Sequence, residues 1–137
     1  MPLTLMISEG VLDDGQEKVA FTRLSEAMLR AHDLVGNAVM TRNVIGSIHV
    51  MPRGTTFIGM KDTPVAFVEW KVPSFAFTNP DVQKAYFREV SDILVEMSRG
   101  RLLRENIGIN VVHAVDGAWN FDGERMTNAE IGARVMG

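Results

Sequence analysis

A single order of patterns occurs twice along this chain, and it leaves few folds open: a short β-rich run, a long amphipathic helix and a second β-rich run. In the first unit, residues 2–8 (Pro-Leu-Thr-Leu-Met-Ile-Ser) read as a strand ended by Glu9-Gly10. From about Gln16 to Val35, the apolar positions Ala20, Leu24, Ala27, Met28, Ala31 and Val35 are spaced by threes and fours, which predicts a helix stopped by Gly36-Asn37. Residues 44–51 predict the second strand, and Pro52-Arg53-Gly54 turns the chain toward an extended segment around Phe57. The second unit runs from a strand at Val65–Val72 to a helix opened by Asn79-Pro80, an N-cap followed by proline at the first helical position. Val82, Tyr86, Val90, Leu94 and Met97 mark its buried face, Arg99-Gly100 ends it, and Ile107–Val112 form the last strand of the unit.

Each crossover is long enough to join parallel strands and is expected to be right-handed. The expected fold is therefore α/β (α+β): consecutive β-α-β units at about 2–51 and 65–113, giving a four-stranded mixed sheet with two helices on one face. Residues 114–137 add a hairpin and a short helix, the latter signalled by Thr127 and Glu130 at capping-box spacing. Trp119 in that tail needs a place to bury its ring. With both helices on one side, the other face of the sheet is left bare. Leu3, Leu5, Ile48, Val50 and Phe67 are its candidate residues, apolar enough to call for a covering subunit.

A chain of 137 residues with 46% apolar residues and a net charge of −3 reads as a single domain, 1–137, with one core. The isoelectric point near 5.6 and the lack of a basic face argue against nucleic acid. The absence of cysteine removes disulfides, thiolate nucleophiles and thiolate-bound zinc. No signal-peptide pattern or membrane-length apolar run is visible, so a cytoplasmic protein with no membrane partner is expected. His32, His49 and His113 are scattered and lack metal-binding spacing, and the glycines near Gly54 and Gly59 lack a phosphate-loop pattern. No metal or cofactor is expected. His49 alternates with Ile48 and Val50, and reads as a hydrogen-bonded structural imidazole before a catalytic one.

Pro2 is a candidate nucleophile or proton acceptor. Removal of Met1 would leave a secondary amine, whose basicity falls when an apolar site strips the charged form of water. In the surrounding motifs the chain resembles the tautomerase superfamily. Pro2-Leu3…Glu9-Gly10, Asp13-Asp14…Gln16-Glu17-Lys18 and Leu24-Ser25-Glu26-Ala27 are similar to the 4-oxalocrotonate tautomerase group. Ile48-His49-Val50-Met51-Pro52, Phe57-Ile58-Gly59 and Ile109-Asn110-Val111-Val112 resemble the macrophage migration inhibitory factor group, and Asp116-Gly117-Ala118-Trp119-Asn120-Phe121 the malonate semialdehyde decarboxylase group.

The resemblance implies a homotrimeric barrel with sites at subunit boundaries and a small-molecule substrate. It implies Pro2 as general base in keto–enol tautomerisation, or as an acid in hydratase, dehalogenase and decarboxylase relatives. It places Asn110 and Phe57 at substrate-contacting positions, with a structural role an equal reading for each, and Val72 and Pro73 where relatives end a strand beside the proline, as packing or pocket. The arginines that grip carboxylates in relatives are missing: their positions fall at Val11, at Ile45 or Gly46, and in the Pro73–Ala76 stretch. A relative's pocket tyrosine falls at Gly108. Arg53, then Arg42 or Lys71, are the cations left to hold a carboxylate. A non-enzymatic binding protein on the same scaffold is the third reading.

Overall fold

The computed structural model describes residues 1–137. Its elements are β1 (Pro2–Ser8), α1 (Gln16–Ala31), α2 (Ala38–Arg42), β2 (Ile45–Met51), β3 (Phe57–Ile58), β4 (Lys61–Asp62), β5 (Ala66–Pro73), α3 (Pro80–Ser98), β6 (Ile107–Ala114), β7 (Asn120–Phe121), β8 (Glu124–Arg125) and α4 (Asn128–Met136). The main sheet has the order β2-β1-β5-β6. β1 and β2 are parallel, as are β5 and β6, and the two halves meet where β1 and β5 pair antiparallel, with Leu3 opposite Trp70 and Leu5 opposite Val68. The mixed four-stranded sheet is thus the one the tandem pattern predicts. In the single chain it is open, with β2 and β6 at its edges.

Alternation along the strands decides what each face touches. Leu3, Leu5 and Ile7 of β1 and Val68, Trp70 and Val72 of β5 are fully buried against Leu24 and Met28 of α1 and Tyr86, Val90 and Leu94 of α3. Gly46 of β2 lies on this side too, where a Cβ would strike the Leu3 carbonyl at 2.2 Å and the Phe21 ring at 2.5 Å. Ile48 pairs with Leu5 and Val50 with Ile7, so both share the helix-covered face. The assignment of Leu3, Leu5, Ile48 and Val50 to the bare face is therefore corrected by register. Of that set only Phe67 stands on the open side, its ring packed over Gly108, where a Cβ would come within 2.7 Å of it. The rest of the open face is mixed: Thr4, Ser47, His49, Glu69, Lys71 and Asn110 are polar, and Met6, Ile45, Met51 and Val112 apolar.

The helices depart from expectation at one end. α1 stops at Ala31 rather than near Val35, because the His32 ring is held from both sides. Its Nδ1 donates to the Met28 carbonyl (3.0 Å) and its Nε2 accepts the Phe77 backbone N–H (3.0 Å), after which Asp33 takes a left-handed φ of 55°. The Asn37–Asn43 stretch contains α2. The Asn37 side chain caps it by accepting from Met40 N (2.9 Å) and ties it to α4 by donating to the Val135 carbonyl (3.0 Å). α3 begins at Asn79-Pro80 as predicted and ends with Arg99 itself left-handed at φ 54°. α4 has the predicted capping box between Thr127 and Glu130.

One polar contact crosses the core. Trp70 Nε1 donates to Tyr86 Oη at 2.7 Å, and that hydroxyl donates to the Leu24 carbonyl at 3.1 Å, joining the central strand to both long helices. Burial raises the Tyr86 pKa, so the hydroxyl stays protonated. Tyr86→Phe leaves the Trp70 N–H without a partner in the core. It is expected to lower stability by about 1–3 kcal/mol in urea unfolding, with an unchanged far-ultraviolet spectrum; a loss below about 0.5 kcal/mol would mean the indole finds another acceptor.

Candidate functional site

Pro2 opens β1, and alternation puts it on the face away from the helices, half-buried. A cavity of about 230 Å³ adjoins it, walled by Met1, Asn43 and Ile45 on one side and by Ala118, Trp119 and Asn120 of the tail on the other. Pro2 pairs with Ile45 across the parallel ladder. One step beyond the Leu3–Trp70 pair, Lys71 of β5 stands on the same face, exposed and without an ion-pair partner. The next row across the sheet is Thr4, Glu69 and Asn110, in which Asn110 Nδ2 donates to Glu69 Oε2 at 3.3 Å. A ring nitrogen, an amide, a carboxylate and a free ammonium therefore occupy one end of one face.

Met1 sits behind Pro2 and is 4% exposed, packed into the core. Its amine donates to the Asn43 carbonyl. Asn43 is fixed in turn: its Nδ2 donates to the Val39 carbonyl (2.9 Å) and to Asp122 Oδ1 (3.0 Å). The hydrogen bond from Asn43, and then the Arg134 guanidinium, hold the Asp122 carboxyl below the usual range. With Met1 attached, the Pro2 nitrogen is an amide and has no basic lone pair.

The structure brings some of the sequence-derived site residues together and keeps others apart. Val72, fully buried, and Pro73 continue β5 beside the start of β1, and Pro73 shares a cavity wall with Met1. Asn110 lies on Pro2's face. Arg53 and Phe57 lie beyond the opposite end of β1, where the Arg53 backbone N–H donates to Glu9 Oε2 (3.3 Å) and Thr56, beside Phe57, bonds Ser8 (2.7 Å). A seven-residue strand separates them from Pro2 within one chain, about 20 Å. Arg42 reaches Asp122 at 3.9 Å instead. Glu69 and the tail residues 118–120 were not among the expected site residues. Counting by twos from Pro2 and across the antiparallel register would have found Glu69; nothing local points to the tail, apart from the unplaced ring of Trp119.

No family model matches the sequence, and no curated protein matches it. Solved structures do match its fold. Pt0534 inactivated by 2-oxo-3-pentynoate superposes with a TM-score of 0.75 at 15% identity, over 96% of this chain and 99% of that one. A fused 4-OT wild-type symmetric trimer gives 0.75 at 9% identity, over 96% and 99%. FG41 malonate semialdehyde decarboxylase inhibited by 3-bromopropiolate gives 0.66 at 9% identity, over 88% of each chain. These likenesses show the fold, which this chain shares with all three structures. No helix is long and apolar enough to cross a membrane.

The Met1 amine is lowered from 8.0 to about 6 because burial removes water from the ammonium. Between those values the unfolded chain carries a proton that the folded chain lacks, so stability rises with pH across this window and is lowest below it. Met1-bearing protein is expected to gain up to about 2.7 kcal/mol in urea unfolding from the acid to the alkaline side. A profile flat across that window would show that the terminal amine is solvated.

Proposed function

We propose that this protein is a keto–enol tautomerase acting on a small enol or unsaturated 2-oxo compound, with the Pro2 nitrogen, freed by removal of Met1, as general base. The observation that carries this reading is the position of Pro2. It opens an inner strand of the sheet on the open face, beside a cavity and in register with Lys71, with Asn110 two strands across in the next row. An apolar surrounding disfavours the charged form of such an amine and so favours the neutral form that accepts a proton. In this reading Asn110 donates to the substrate oxygen and Pro73 forms apolar wall, while Val72, fully buried on the helix-covered face, is packing. Lys71, in place of the missing arginines, is the cation nearest Pro2 in register for a substrate carboxylate. Arg53 and Phe57 reach a Pro2 only from another subunit. The proposed assembly is a homotrimer, in keeping with the trimers among the structures of the same fold.

A second reading is favoured by Glu69: a carboxylate on Pro2's face would activate water for hydration or hydrolytic dehalogenation of a three-carbon acid, with Pro2 as acid. The directions of the pH–rate profiles separate the two. For a base, kcat/KM rises with pH through the Pro2 pKa and then levels; for an acid it falls. A binding protein without activity is the outcome if Met1 is retained, which intact mass reads directly.

Ketonisation of phenylenolpyruvate or 2-hydroxymuconate, followed by ultraviolet absorbance, tests the main reading. Pro2→Ala is expected to lower kcat/KM by about 100-fold or more, and rates equal to wild type would remove Pro2 from the mechanism. Lys71→Ala is expected to lower kcat/KM for the carboxylate substrate by about 10-fold, mainly through KM, and an unchanged KM would place the carboxylate elsewhere.

A further inference from the structure

A second cavity, of about 220 Å³, lies under α4 on the inner side of Pro2. Its walls come from the end of α1, from α2, from the Pro73–Ala76 turn and from the tail: Leu34, Met40, Phe75, Phe121, Ile131 and Val135 among others. The one imidazole in the lining is His32, and both its nitrogens are already engaged, one by the Met28 carbonyl and one by the Phe77 N–H. Nothing in the lining therefore calls for a carboxylate or a phosphate. Met1 and Trp119 wall both this cavity and the one at Pro2, and so form the partition between them. Removal of Met1, a side chain almost wholly buried, would join the two spaces and put the Pro2 nitrogen at the junction.

We infer that the cavity under α4 is a binding site for an uncharged hydrocarbon group of phenyl size. On the proposed tautomerase reading, on which this last step rests, that group is the side chain of the substrate, with its enol end at Pro2. The size supports the assignment: an apolar cavity of about 150 Å³ is enough to hold benzene in a folded protein. So does the chemistry, since an apolar ligand removed from water into such walls needs no polar partner.

The test uses the protein with its methionine methyls carbon-13 labelled and toluene as the probe. Met40 lines the cavity and is 6% exposed, whereas Met60 is 99% exposed in the β3–β4 turn and serves as internal control. Saturable shifts at Met40, with none at Met60, are expected. Gly132 also lines the cavity, has ordinary helical geometry, and has open space where a Cβ would stand. Gly132→Leu is expected to abolish the shifts without lowering the urea midpoint, and Gly132→Ala to weaken them partway. No saturable shift in the parent protein, or undiminished shifts in Gly132→Leu, would overturn the assignment. So would a cavity that excludes toluene while Gly132→Leu changes the native mass, because the space would then be a subunit contact.

The substrate step is read separately, as the ratio of kcat/KM for phenylenolpyruvate to that for enolpyruvate. Gly132→Leu is expected to lower this ratio by about 10-fold, and an unchanged ratio would overturn the side-chain assignment. Failure of the Pro2 reading shows instead as turnover indifferent to Pro2→Ala, and it leaves the toluene result standing.

Discussion

The antiparallel seam between β1 and β5 is the contact on which the rest of the molecule depends. Each β-α-β unit alone is a pair of parallel strands with one helix, too small to bury both sides of anything. Joining them through Leu3–Trp70 and Leu5–Val68 places two alternating apolar sets on one side and lets α1 and α3 cover them together. The Trp70–Tyr86–Leu24 hydrogen bonds then lock strand to helices at the centre of that layer. The same seam decides the other face. Once Leu3 and Trp70 point inward, Pro2, Glu69 and Lys71 must point outward.

Much of this was legible in the residues, and the gaps have physical causes. Long helices announce themselves by period and by caps, so the start of α3 at Asn79-Pro80 and the Thr127–Glu130 box were both readable. α2 was not, because five residues are too few to show a period, and its stability comes from Asn37 bonding to α4, a partner ninety-eight residues away. The sorting of the two faces failed for a different reason. Alternation in a strand defines two sets of residues but not which set meets the helices; only the register with β2 and β5 resolves that. Met1 was overlooked as a packing residue because nothing in a chain's first position signals burial.

The site was legible as a residue rather than as a place. Pro2 could be singled out by type and position, whereas its surroundings are assembled from segments far apart in the chain. The tail supplies Trp119 and Asn120, and β5 supplies Lys71 and Glu69. Arg53 and Phe57 sit at the far end of β1 within the same chain. The cation nearest Pro2 in register is thus a lysine, a point charge without the planar fork of an arginine. That difference alone would loosen how a carboxylate is oriented there.

Met1 and Met136, the first residue and the next to last, border the same cavity under α4. Residue 1 and the last turn of α4 thus share a space that the long helices and the sheet do not fill, so side-chain volume added on that turn presses toward the start of β1.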